Sequence, residues 1–487
     1  MNDNTKIRSI KANIILNSIK QFCALAFPLI SITYANRVLG AENIGRFSFS
    51  NTMVSYFSTF AALGISAYGM RNGAQIRDDK QKLEQFISEI YSINIVMMII
   101  SLSTLFLISK ASFFDQYRSI LYILSIGIVL SAIGTDWINT IFEDYFYITI
   151  RYIALQILGI FALIIFVKDI NDLPKYTMIN VFVSSGGNLF NIFYIRKKVR
   201  VKFTFKVNFV KHIIPLLILF VNNIASTIYL NSDITLLGIL TDDMSVGIYS
   251  NASKSYSIIK GLINAAVAVL VPRFSYYVAN GERGTYEIVL KKIIKYITVI
   301  LIPISIGMIF EAEGILQILG GEVFISGAGA LRILAIAMIP AVFACVLSYC
   351  VLMPLNNEIF FMISTLCAAG ANIVLNFVFI PLCGIEGTAI TTLIAEVIVV
   401  SISLWKARKE IEMRFDYVGT LKCIVAGCAL GIICLIIALF VNNYLLRMIM
   451  SALIGASVYC LVLIELKHDA VQEIIFSLRK RTKARKG

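Results

Sequence analysis

Residues 424–441 read IVAGCALGIICLIIALFV. Eighteen residues pass without a charge. A helix of ~20 such residues, rising ~1.5 Å each, crosses the ~30 Å hydrocarbon layer of a bilayer. In water this helix would have no polar face to present. The stretch decides the fold class: its solvent is lipid. The rest of the chain agrees. Of 487 residues, 58% are hydrophobic and 15% charged, and the mean hydropathy is +0.83. A soluble domain carries ~45–50% apolar and ~25% charged residues, so this chain cannot clothe itself in polar surface.

Working outward with the same ruler, spans fall at about 12–36, 47–70, 86–108, 119–142, 148–167, 175–195, 213–238, 247–271, 293–312, 329–353, 359–380, 385–405, 420–441 and 446–465. Fourteen helices and short loops leave almost nothing outside the bilayer. The expected architecture is an all-α integral membrane protein. Lys6, Arg8 and Lys11 precede the first apolar run, which is too long for the ~7–15-residue core of a signal peptide. It reads as a retained first span.

The net charge of +14 is not the mark of a nucleic-acid protein, because the basic residues lie in short loops rather than on one soluble face. It is a topology signal. With the N-terminus in the cytoplasm, 32 of the 43 Lys and Arg fall on the cytoplasmic side, as the positive-inside rule requires. Both termini are then cytoplasmic. Asp469–Leu478 reads as a short amphipathic helix leading into the basic tail Arg479–Lys486, fit to rest on anionic lipid. The nine cysteines mostly lie in apolar runs with no CxxC pair, and His212 and His468 are the only histidines. That pattern suits packing rather than zinc or disulfides.

A repeat runs through the chain. Gly45-Arg46-Phe47-Ser48 opens the second span and Gly247-Ile248-Tyr249-Ser250 the eighth; the same spacing carries Arg71 onto Arg273. Both copies run in one direction, predicting two parallel six-helix repeats around a central cavity, as in transporters that alternate access between the two sides. The expected divisions are an N-terminal six-helix bundle at 1–211, a C-terminal bundle at 212–410, and helices 13–14 with the tail at 411–487.

The stretches GAENIGRFSFS (40–50), YGMRNGAQIR (68–77), DITLLGILTDDMSVGIYS (233–250), VPRFS (271–275) and NIVLNFVFIPLCGIEGTAITTLIAE (372–396) resemble the multidrug/oligosaccharidyl-lipid/polysaccharide exporter superfamily, and within it the polysaccharide flippases of the Wzx type. The likeness covers nearly the whole chain. It implies a flippase, not an enzyme, translocating undecaprenyl-diphosphate-linked oligosaccharide repeat units from the inner to the outer leaflet of the bacterial cytoplasmic membrane. The setting it implies is O-antigen or capsule synthesis, with polymerase and chain-length proteins of the pathway as partners. A cation-coupled multidrug exporter of the same superfamily is the alternative. A membrane glycosyltransferase or polymerase is a weaker one, because such enzymes need a sizeable external loop. A non-transporting scaffold or receptor would leave the intramembrane lysines unexplained.

Charge inside hydrocarbon costs ~2.5–3.5 kcal/mol per residue on insertion scales and marks function. Lys20 lies ~12 Å into the first span and Lys260 ~20 Å into the eighth. With Lys254 they are expected to meet the diphosphate of a lipid-linked substrate, although Lys254 equally fits snorkelling to the interface. Arg46 suits an outer-mouth contact or an anchor, and Arg71 and Arg273 suit diphosphate entry or plain topology. No histidine falls within the predicted spans, so Asp233 and Glu396 are the candidates for coupling to a proton or sodium ion; the bland reading is an ion pair with one of the lysines. No resident cofactor is expected. Asn222, Asn223, Asn372 and Asn376 read as interhelical glue or sugar ligands.

Overall fold

The computed structural model describes residues 10–412, 416–473 and 476. All regular structure among them is helical. Among the described residues eleven helices are long and apolar enough to cross a membrane, Glu358–Glu410 among them. That helix and Ile10–Ala62 each run 53 residues, ~80 Å at the helical rise and more than twice the hydrocarbon thickness. Each breaks at a glycine: Gly40 at φ 75°, ψ 170° and Gly384 at φ 56°, ψ −128°. Side-chain-bearing residues avoid both conformations. One glycine thus joins two spans, and fourteen result.

We label them α1 (10–39), α2 (41–62, continued by Ile65–Gln75), α3 (Lys80–Ile108), α4 (Arg118–Ile141), α5 (Tyr145–Phe166), α6 (Ile170–Ile195) and α7 (Phe209–Leu240). They continue as α8 (Asp243–Ala279), α9 (Arg283–Phe310), α10 (Glu322–Leu352), α11 (358–383), α12 (385–410), α13 (Tyr417–Phe440) and α14 (Tyr444–Glu465). Every predicted span is present. Several helices outrun their apolar windows at polar ends: α3 starts at Lys80 rather than 86, and α9 at Arg283 rather than 293. Hydrogen bonding carries a helix past the hydrocarbon until a cap stops it. Asp79 accepts from the Lys82 amide at 3.1 Å, Asp242 from Ser245 at 2.7 Å and Asp416 from Gly419 at 2.9 Å. Of the predicted C-terminal amphipathic helix, residues 469–473 and 476 are helical. The rest of that tail, with Lys6 and Arg8, lies outside the described residues.

The chain divides into two compact units, Met1–Gly238 and Ile239–Gly487. In the first, Leu63, Ile87, Ile90, Trp137, Ile138 and Leu216 form a buried core where α2, α3, α4 and α7 meet. Ser101 and Asn94 of α3 donate to the Phe57 and Ala61 carbonyls of α2 at 2.6 and 2.9 Å, satisfying backbone that no water can reach.

In the second unit α10 is the most buried span. Its alanines, Ala330 through Ala344, let α8, α9, α11 and α12 approach closely. α13 and α14 lie against α9. Gly427 and Gly431 bring the α13 backbone onto Ile306 and Phe310, and Tyr459 donates to the Val299 carbonyl at 3.0 Å. Arg447 and Ser451 of α14 both bond the buried Glu311, at 3.1 and 2.7 Å. The cysteines are free; Cys345, Cys350, Cys423 and Cys434 are buried packing residues.

Candidate functional site

In the first unit α1, α4 and α5 bring charge together on three membrane-length helices. Lys20 of α1 is half-buried, its ammonium 5.8 Å from the centre of the Tyr152 ring. Asp136 and Arg151 are the charged groups that act on it. Asp136 stands where α4 breaks, between the turns ending at Gly134 and starting at Trp137. Arg151 donates to both oxygens of Asp136 at 2.6 Å. The Arg151 ring contact is with Tyr147, at 5.3 Å. Tyr147 stacks on Tyr194 of α6 at 3.8 Å. Tyr194 donates to Asp144, which also takes Lys198 at 2.6 Å.

The result is a shelf of tyrosine rings carrying Lys20, Arg151 and Lys198 against Asp136 and Asp144. A single guanidinium nitrogen of Arg151, Nη2, makes both contacts to Asp136, while Nη1 is buried with no hydrogen-bond partner. A buried, unpaired guanidinium N–H costs free energy. An oxyanion of a ligand would satisfy it, because guanidinium matches phosphate in both charge and geometry.

In the second unit Lys260 and Tyr256, one turn apart on α8, both reach Oε1 of Glu396 on α12. The tyrosine hydroxyl lies at 3.2 Å and the ammonium is in direct contact as an ion pair. Glu396 is 4% exposed. The ammonium also sits 5.4 Å from the Tyr256 ring centre. Of the two readings left open for Glu396, the structure shows the ion pair, and it joins two residues that sequence placed in separate roles. Lys254 is exposed, with no ion pair or hydrogen bond among the described residues. Six positions at ~3.6 per turn put it on a different face of α8 from Lys260.

The remaining candidates stand apart. Arg46 pairs with Glu42 one turn away at 2.5 Å. Arg71 is exposed on the last turns of α2. Arg273 is exposed, with its Nε donating to the Tyr277 hydroxyl at 2.7 Å. Asp233 is half-buried on α7 beside the Tyr56–Thr235 hydroxyl pair, 2.8 Å apart. Asn372 and Asn376 of α11 join Thr391 of α12 in a buried knot: Thr391 donates to the Asn376 side chain at 2.8 Å, and Asn376 to Asn372 at 3.0 Å. These oxygens are the donors a small cation would use. Among the described residues no three His, Cys, Asp or Glu gather as metal ligands do.

One expectation is corrected. His212 does lie inside a span, because α7 begins at Phe209 rather than 213. It is 0% exposed, with Nε2 2.9 Å from Glu89 of α3 and Nδ1 2.8 Å from the Tyr68 hydroxyl of α2. Sequence reasoning also passed over Arg151 and Asp136, although both fall within the fifth and fourth predicted spans. The rule that flagged Lys20 would have flagged them.

The family model described as "Polysaccharide biosynthesis protein" matches residues 10–278. A protein of Escherichia coli (strain K12) bearing the provisional name of O-antigen transporter is 25% identical over 299 residues, 59% of this chain and 70% of its own length. Among solved structures, the lipid II flippase MurJ in an inward closed conformation superposes with a TM-score of 0.74 at 18% identity, covering 92% of this chain and 98% of its own. An inward-facing multidrug resistance MATE family transporter of the MOP superfamily gives 0.60 at 14% identity, covering 82% and 98%. The fold is that of these transporters.

Proposed function

The chain belongs to the polysaccharide biosynthesis protein family, and on that premise we propose that it flips undecaprenyl-diphosphate-linked oligosaccharide repeat units from the inner to the outer leaflet of the bacterial cytoplasmic membrane. Both termini face the cytoplasm in this reading, and polymerase and chain-length proteins take over the product for O-antigen or capsule. The observation that carries it is the Lys20–Arg151 shelf: two cations within apolar helices, one acid between them, and a buried guanidinium nitrogen lacking an acceptor. A diphosphate entering a low-dielectric site needs replacements for its water, and these groups supply them. A drug-exporting relative that carries cations would gain nothing from that surplus positive charge.

Arg46, Arg71, Arg273 and Lys254 serve this reading as way stations at the two membrane faces. Lys260 serves as a second phosphate ligand that Glu396 releases when substrate arrives. Coupling to a proton or sodium ion would then fall to Asp233, or to the pair formed by Lys260 and Glu396. The test is transfer of a lipid-linked oligosaccharide across reconstituted vesicles. Arg151→Ala should lower flipping at least tenfold, by the ~1.5–3 kcal/mol of a charged hydrogen bond, with Arg151→Lys partly active. Undiminished flipping by Arg151→Ala would sink the phosphate role.

A further inference from the structure

The second unit has a groove unrelated to the Lys260–Glu396 pair. It holds about 510 Å³, within the ~300–1,000 Å³ of small-molecule sites. Its walls are Thr298 of α9, Ile336, Pro340 and Phe343 of α10, and Val397 and Leu404 of α12. Ile336 and Val397 stay exposed at the rim, so the groove opens at the surface of the span layer. One end is polar. There Lys295 is clasped by Asp416 at 2.9 Å and by Asp469 at 2.7 Å, and His468 joins the wall.

Two further observations point to a ligand. His468 is 2% exposed, yet its Nδ1 has no partner. Its Nε2 lies 3.6 Å from the Cys423 sulfur; a thiol donating there leaves the proton of the neutral ring on Nδ1, free to donate. Beyond Lys295 a second hollow of about 280 Å³ opens, lined by Lys291, Lys292, Lys295, Tyr296 and Glu473. Three lysines face one carboxylate. Glu473 takes Lys292 at 3.2 Å, and Lys291 is exposed with no partner among the described residues.

An apolar groove, an orphan donor and a basic hollow meet at one residue, Lys295. We propose that together they form a binding site for one anionic phospholipid. An acyl chain fills the groove, an ester oxygen accepts from His468 Nδ1, and the phosphate rests on Lys291 and Lys292. The clasp of Lys295 across the C-terminal segment holds this lipid in place rather than passing it on, which suits a resident lipid and not a travelling substrate. The leaflet, cytoplasmic, rests on the orientation proposed above; the site itself does not.

The experiment uses the purified full chain and reads binding, not transport, so its outcome is independent of the flippase reading. Chain exchanged into dioleoylphosphatidylglycerol is compared with chain in dioleoylphosphatidylcholine by native mass spectrometry. Retention of one phosphatidylglycerol per chain, well above phosphatidylcholine, is the expected result. Lys291→Gln with Lys292→Gln should weaken it roughly thirtyfold, at the scale of ~1 kcal/mol per surface lysine. Val397→Trp at the groove rim should displace it with both lysines intact. Each variant is checked for a native elution volume; should Val397→Trp fail to fold, Val397→Phe replaces it. Equal retention of the two lipids, or retention unchanged in both variants, overturns the proposal. So does a polyprenyl diphosphate, rather than a phospholipid, held at this site in protein drawn directly from cells.

Discussion

Lys260 and Glu396 divide one hydrogen-bonding oxygen between an ammonium and the Tyr256 hydroxyl. Removing one member of a buried pair strands the other, a loss of ~3–5 kcal/mol when both are fully buried. The cost is smaller here because Lys260 keeps some exposure. Lys260→Ala should therefore lower the thermal midpoint as well as transport. Adding Glu396→Gln to a Lys260→Met background should restore the midpoint and not the transport. Recovery of both would make the pair purely structural. Sequence placed each of the two on a helix interior and could not pair them, because they lie 136 residues apart and the facing of α8 and α12 is set by packing. Arg151 was missed for a simpler reason. At the head of an apolar run it counts as one more cytoplasmic arginine; the charge-in-hydrocarbon rule could have flagged it, and the contact with Asp136 shows its partner. Tyr68, Glu89 and His212 come from three helices, and nothing in their local sequence announces that they touch.

At the scale of elements, the spans were legible because lipid dictates them: a run such as 424–441 has only one stable solution. Their polar extensions were not, since hydrogen bonding carries α3 and α9 beyond their apolar windows, and a cap, Asp79, rather than hydropathy sets where α3 begins. The breaks at Gly40 and Gly384 carry a direct test. A Cβ built at Gly40 meets nothing within 4 Å, so Gly40→Ala costs backbone strain alone, ~1–3 kcal/mol. The thermal midpoint should drop by a few degrees with no change in substrate specificity. An unshifted midpoint would mean that the turn relaxes.

A second element-scale test concerns the clasp after α14. Burial holds the His468 imidazole below its ordinary value, with Asp416 and Asp469 pulling the other way. A lowered base stays neutral in the folded chain while the unfolded chain takes up a proton. Its cost is thus absent above the usual ~6.5 and grows as pH falls below it. Asp469 is held below the usual carboxylate value by Lys295. Asp416 is lowered as well: burial raises it, but the Gly419 amide and Lys295 outweigh that. Their stabilisation is therefore present above ~4 and lost below it. The midpoint measured from pH 7 to pH 5 should decline in the native chain and flatten in His468→Gln. An identical decline in both would place the sensitive group elsewhere.

For the whole molecule, the proposed function predicts that deleting the gene removes the surface polymer and leaves its lipid-linked precursor in the cytoplasmic leaflet, read by accessibility to a membrane-impermeant probe. Surface polymer persisting in a strain with no second flippase would end that reading. The two single-glycine joints also bear on how the chain is made. With no linker between them, α1 and α2 are expected to enter the bilayer together, and so are α11 and α12. Each pair is predicted to partition sideways as a hairpin, which cross-linking of stalled nascent chains to the insertion machinery would check. Lys20 then enters before its neighbours Asp136, Arg151 and Tyr152 have been synthesised. The biogenesis machinery thus handles this protein in bites of two helices, and the unit of insertion is set by a missing side chain.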